Sequence, residues 1–320
     1  MTPTLAPYPS SWFTDFQPGD PLGVVAASVL SGRLVAVLRH FPLALAHAGD
    51  DVEHVHHLRV AARRCSAALA AFENILPKKL RDQAGDMVRS IRKNAGLARD
   101  WDVFLMGIGS GSKSGKHLPR GGELLEGLAL AQRVMAQREL AGACPEFGQS
   151  FPKLMEKIAE TASQSPRARS PVSSLADSVL NEAFCDFREE MSPDGKGGPG
   201  TDAKSGLEHL HRVRILGKRL RYLMEIFWPC LSKGVRHELY PLVEEAQELL
   251  GQINDHSRAL AMICKLSGEV GKVSTPFLDR LAPRLRTLTR FHEKQIGIQC
   301  RAFQSWRKRW DKVGGEWEKD

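Results

Sequence analysis

Histidine and arginine recur twice along this 320-residue chain in one pattern. Glu53-His54-x-His56-x-x-Arg59 returns as Glu208-His209-x-His211-x-x-Arg214, each pair 155 positions apart. The register then continues without a gap. Arg63 falls on Lys218, Arg64 on Arg219, Phe72 on Phe227, Arg81 on Arg236, Gly96 on Gly251 and Asp100 on Asp255. Guanidinium forks suit bidentate contact with phosphate oxygens. Imidazole adds a donor near neutral pH, so anion affinity should rise on acidification. The chemistry of such a set is anion binding, with a multivalent phosphate as the natural partner. A repeat of half the chain is too long for a solenoid unit and predicts a duplicated, domain-sized bundle.

Helical geometry separates these cations from the core. At about 100° per residue from His56, Arg59, Val60, Arg63 and Ala67 lie within roughly 60° and Arg64 at about 80°. Leu58, Ala61, Ala62, Cys65, Leu69, Phe72 and Leu76 crowd the other side. In the second copy Arg214, Lys218, Arg221 and Tyr222 join His211, with Arg219 at the edge, opposite Val213, Leu216, Leu220, Met224 and Phe227. Solvated helix faces usually mix signs so that Glu and Lys pair four residues apart. Here nearly every charge is positive, Glu225 being the visible exception. Two cations about 6 Å apart repel by roughly 3 kcal/mol at an effective dielectric of 20 and under 1 kcal/mol in water. A stripe lining a groove would thus favour an arriving anion, whereas one on a convex surface is nearly harmless. Arg89, Arg92 and Lys93, with Arg99, form a third basic stripe on the next helix; its counterpart carries Glu244, Gln247, Glu248 and Asn254 instead.

Other motifs carry less. The glycine-rich stretch 107–122 places Ser110 and His117 where a phosphate-binding loop requires Gly and Ser or Thr, and it follows a helix rather than a strand. His54 and His56 diverge by about 200° on a helix, so they do not share a metal ion. Asp100 and Asp255 are expected to pair with neighbouring basic residues; two isolated carboxylates do not make a two-metal site. Phe303, Trp306 and Trp310 recur at core spacing. No catalytic, metal or cofactor residues are assigned.

The elements that must position the stripes are all helical, since apolar residues recur at three- and four-residue spacing and never alternate as in strands. Asp20-Pro21 reads as N-cap and first turn of a helix reaching about His47. Asp50 or Asp51 caps a second, ending at Pro77. Further helices are expected at about 78–106, 123–143, 151–163, 173–191, 207–228, 234–266 and 276–313, with bends at Pro42, Pro241 and Pro283. Residues 1–19 form an arm, 20–163 a first four-helix half, 164–173 a hinge, 174–313 a second four-helix half and 314–320 a tail. The fold class expected is all-α, two four-helix bundles related by internal duplication.

Composition narrows the partners. The net charge of +8 and a pI near 9.3 favour an anion. Six cysteines without CxxC or paired spacing describe reduced thiols rather than a disulfide framework or zinc site. No run is read as a membrane span or signal peptide, and a soluble, cytoplasmic protein is expected.

His56-x-x-Arg59-Val60-x-x-Arg63-Arg64 resembles the first basic helix of the CHAD family, the conserved histidine α-helical domain. His211-x-x-Arg214-Ile215-x-x-Lys218-Arg219-Leu220-Arg221-Tyr222 resembles its second. Arg99-Asp100 with Val103, and Gly251-x-x-Asn254-Asp255, fit its third and seventh helices. The resemblance covers roughly residues 20–313. It implies two four-helix bundles about a pseudo-twofold axis, basic residues facing a central cleft, and binding of inorganic polyphosphate, with association with polyphosphate granules and their proteins. The first copy has Ser66 where the second has Arg221, one charge fewer. Family members often accompany a triphosphate-tunnel domain with an ExExK signature; this chain has none, which argues against phosphohydrolase activity. The expectation is a non-catalytic polyphosphate-binding module. The alternatives are a nucleic-acid-binding protein, for which no motif is recognised, and a metal-dependent phosphohydrolase.

Overall fold

The computed structural model describes residues 12–109, 121–143, 147–192 and 203–313. Among these residues the fold is all-α: α1 (Leu22–Ala46), α2 (Glu53–Ala71), α3 (Lys78–Gly109), α4 (Gly122–Gly142), α5 (Phe147–Gln164), α6 (Val172–Met191), α7 (Ala203–Ile226), α8 (Tyr240–Val273) and α9 (Thr275–Val313). Much of the arm and the glycine-rich stretch, part of the 192–206 connection, the tail and Cys144 lie outside the described residues. The five described cysteines are free thiols.

Helix ends follow local chemistry. The Asp51 carboxylate accepts the Glu53 N–H at 2.9 Å just ahead of α2, whose cap position is Val52 and carries no side-chain cap. Asp20 behaves differently: its carboxylate accepts the Gln17 N–H at 2.8 Å, and α1 starts at Leu22 without a side-chain cap. The helix-start donors are satisfied instead by a reciprocal clasp. Leu22 N–H reaches Ser170 C=O at 2.8 Å and Val172 N–H reaches Asp20 C=O at 2.9 Å. α5 begins at Phe147, ahead of its expected start near 151, and carries Pro152 inside. The burial of Phe147 and Phe151, stacked 4.2 Å apart, recruits that earlier turn. A π-turn over Val235–Leu239 precedes α8. The chain is already helical from Lys233, so Pro241 lies inside a continuous helical run, directly after the π-turn that widens it.

Two compact units result, and neither is a half of the sequence. Unit 1 takes Met1–Ala95 and Leu140–Glu244; unit 2 takes Gly96–Glu139 and Glu245–Asp320. The boundaries fall inside α3, α4 and α8, helices of 32, 21 and 34 residues. The core of unit 1 gathers Leu30, Leu34, Leu58, Phe147, Phe187 and Phe227; that of unit 2 gathers Ile108, Leu125, Leu281, Phe303 and Trp306. α1 departs from the expectation that no run reaches membrane-span length, because its 25 residues suffice by length and composition. Half of its most apolar window is buried inside the protein, and Arg33 and His40 are buried along it.

Candidate anion-binding site

The apolar faces of α2 and α7 go inward in unit 1. Leu58, Ala62, Cys65 and Leu69 are buried on α2; Val213, Leu220 and Met224 are buried on α7, and Phe227 just past its end. Burial pushes the Cys65 thiol up to about 12, so it is an inert core group. Phe72 and Phe227, equated by the repeat register, meet edge to face at 5.6 Å. On α2 the cationic side leaves His56, Arg59, Arg63 and Arg64 half-buried. On α7 it leaves His211 and Arg219 exposed and Lys218 and Arg221 half-buried, whereas Arg214 is buried at 8% exposure.

The two signatures converge on one carboxylate. Glu225 is fully buried on α7, and Arg64 of α2 donates to it from Nε at 2.8 Å and from a terminal nitrogen at 3.2 Å. Arg221, one helical turn earlier on α7, donates from Nε at 3.1 Å. Burial, the largest single influence, draws the Arg221 guanidinium down, but Glu225 together with Tyr240 and Tyr222 turns the net shift upward. A third cation completes the cluster: Arg33 of α1, buried over the Phe13 ring at 4.7 Å. Its pKa is lowered to about 10, first by burial and then by Arg64, with Glu225 partly offsetting both. The Tyr240 hydroxyl, beside this cluster, is raised by burial and then by Glu225. Burial of the shared Glu225 carboxylate fixes where Arg64 and Arg221 are held. Arg33 was missed in the sequence, although a cation flanked by apolar residues inside α1 is a signal for a buried counter-charge.

A second group gathers cations without a shared carboxylate. Arg63 of α2 lies near Arg92 of α3, whose pKa is lowered by partial burial first and then by Arg63 and Arg89. Arg92 stays largely exposed, so solvent screens much of this effect. Lys93 is exposed beside it. Arg89 pairs with Asp86 on its own helix at 2.5 Å, both groups being well exposed. Arg219 turns away to α6, donating to Asp186 and Glu182 at 2.7 Å each. Of the twelve cationic residues singled out in the sequence, Arg64 and Arg221 are thus structural anchors, and Arg63 and Arg92 are brought together as like charges.

The remaining candidates resolve into pairs. His209 is buried and meets Glu190 of α6 at 3.0 Å. The His54 ring faces His47 and the His56 ring faces His57, so the first two diverge as helical geometry requires. Among the described residues no three His, Cys, Asp or Glu side chains converge on a point where a metal ion would sit. In unit 2 Asp100 pairs with Arg258 of α8, and buried Asp102 with Arg133 of α4. Asp255 accepts from the neighbouring Asn254 amide at 3.2 Å.

Known proteins match this arrangement at the level of the fold and the family. The crystal structure of the CHAD domain from the plant Ricinus communis superposes with a TM-score of 0.69 at 20% identity, covering 92% of this chain and 94% of that one. PptA from Streptomyces chartreusis does so with a TM-score of 0.59 at 21% identity, covering 90% and 100%. No curated protein matches the chain. The family model of the CHAD domain matches residues 28–263, a span that contains both basic signatures and the helices that carry them. The chain belongs to the CHAD domain family.

Proposed function

We propose that this protein binds inorganic polyphosphate, without turnover, through the basic faces of α2 and α7 in unit 1 and the adjoining face of α3. The observation that carries the reading is the imbalance of charge where the two signatures meet. Arg33, Arg64 and Arg221 gather round one carboxylate, and Arg63 and Arg92 add like charge beside α2. Packing cations together raises the energy of the empty protein, and a polyanion relieves it. The binding set is His56, Arg59, Arg63, Arg89, Arg92 and Lys93 with His211, Arg214 and Lys218, on a framework held by Arg64, Arg219 and Arg221. The family resemblance supports polyphosphate as the polyanion and a cleft as its place, in a cytoplasmic protein associated with polyphosphate granules.

The test is competition binding of long polyphosphate against DNA and RNA of matched charge. Charge reversal of Arg59 with Arg63, or of Arg214 with Lys218, should each weaken polyphosphate binding strongly. Reversal of Lys153 with Lys157, exposed on α5, should matter little. Equal losses at all three pairs would show that bulk charge alone matters. Preference for nucleic acid would favour the alternative reading.

A further inference from the structure

The family model ends at residue 263, and the longest helix of the protein lies beyond it. α9 carries ten Lys and Arg against Asp279, Glu293 and Asp311, a net of +7 within a chain of net +8. These charges are ordered. Taking Arg286 as zero and about 100° per residue, Arg290, Lys294, Arg301, Lys308 and Lys312 all fall between roughly 40° and 80°. All six are exposed. Leu281, Leu285, Leu288, Phe303, Trp306 and Trp310 lie between roughly 200° and 260° on the same wheel, and all six are buried. The core face and the cationic face of α9 are therefore opposite one another.

Sign purity from Arg286 onward separates this face from an ordinary solvated one. Glu293 and Asp311 lie at its edge, roughly 20° outside it, and exposed Asp279 shares its direction about two turns before Arg286, yet among the described residues none of the six stripe cations makes an ion pair. Arg309, off the stripe, does pair, with Glu245. From Arg286 to Lys312 the stripe runs about 39 Å at 1.5 Å per residue, with successive cations about 6 to 10 Å apart. Such a row matches a linear anion in any register. No aromatic side chain falls within the cationic arc, so nothing there offers the stacking platform that unpaired bases use. A phosphate polymer without bases fits what remains.

We propose that the exposed face of α9 is a second polyphosphate-binding surface, built on residues of unit 2 that belong to neither basic signature. The choice of polyphosphate as the probe rests on the function proposed above; the placement of the surface does not. The test uses the full chain and long-chain sodium polyphosphate, titrated over a range of salt concentrations. The α9 variant is Arg290→Gln, Lys294→Gln and Arg301→Gln; the unit 1 variant is Arg59→Gln and Arg63→Gln. These α9 positions are exposed, so the melting temperature should stay at the wild-type value. The α9 variant should bind about tenfold more weakly at low salt. Its log–log salt slope should shrink by about 2, at roughly 0.7 per cation removed. The unit 1 variant should keep a residual, salt-sensitive affinity that disappears when both sets are combined. Wild-type affinity and slope in the α9 variant, alongside a loss in the unit 1 variant, would overturn the α9 surface alone. Loss confined to the α9 variant would leave this surface standing and remove the unit 1 site. Retention of single-stranded DNA of matched charge as tightly as polyphosphate would make the stripe a nucleic-acid surface and overturn the assignment.

Discussion

Glu225 is the residue on which the two basic helices depend, because it is one buried carboxylate serving three guanidinium groups. Removing one member of a buried, hydrogen-bonded charge cluster leaves the others uncompensated. Glu225→Ala should therefore destabilise unit 1 by about 3 kcal/mol or more, read as a lower urea midpoint. Arg221→Ala should matter less, since Arg64 still satisfies the carboxylate. In the sequence Glu225 is visible only as the one acid on a positive face. Its partner Arg64 lies 161 positions away, and no local spacing announces a pairing of that range. The charge pattern thus announces an anion site, while the division of its arginines into anchors and binders depends on contacts that only the folded chain makes. Histidines give a second test at this scale. Burial, then His57, lowers the His40 pKa to about 4; burial, then His256, lowers that of His292 to about 4. Both start from an unfolded value near 6.5, so between about 6.5 and 4 the unfolded chain binds protons that the folded chain refuses. Stability should be full above that window and fall as pH drops through it, by about 2 to 3 kcal/mol for each histidine. Thermal melts from neutral pH to pH 4.5 would show it, and His40→Asn should flatten part of the slope. A melting temperature indifferent to pH over this range would exclude both burial effects.

Backbone meets backbone at the clasp that starts α1 and α6. Gly23 lies one residue inside α1, and its N–H donates to Ala168 C=O at 2.9 Å. A Cβ there would stand 2.5 Å from the Ala168 Cβ and 2.8 Å from the Ala162 carbonyl oxygen. Backbone cannot yield cheaply, so Gly23→Ala should destabilise by about 1 to 3 kcal/mol despite the higher helix propensity of alanine. The same exchange at Gly85, with open space around it, should be neutral or stabilising, and paired urea titrations would separate the two. Helices were readable from apolar spacing at nearly every position, because a face that must enter a core repeats every three or four residues. Their starts were less so. Asp20 carries the right cap chemistry but spends its carboxylate on Gln17, and the partner that satisfies α1 comes from the segment before α6. The division into compact units was not readable at all. α3 and α8 keep one unbroken apolar period while contributing to two cores, so nothing in their sequence marks Ala95 or Glu244 as a boundary.

At the scale of the whole molecule the positive charge has two seats, the paired signatures of unit 1 and the outer face of α9. Neutralising phosphates releases their counterions, so polyphosphate affinity should fall steeply with salt, and a salt-independent affinity would reject a polyanion partner. Saturating polyphosphate should also raise the melting temperature, because a ligand of the folded state alone stabilises it by mass action. The same distribution of charge argues against chemistry. Arginine and histidine side chains contact ground-state and transition-state phosphates alike, and uniform binding does not lower a barrier. Hydrolysis of a phosphate chain requires carboxylates gathered to hold a metal and a positioned nucleophile. Carboxylates on α3 and α7 are already committed: Asp100 to Arg258, Asp102 to Arg133 and Glu225 to Arg64 and Arg221. Asp255 keeps the company of Asn254 rather than of a second acid. Purified protein incubated with polyphosphate and magnesium or manganese should therefore release no orthophosphate above background. Release that vanishes in Asp100→Ala or Asp255→Ala, with binding intact, would replace the binding module by an enzyme.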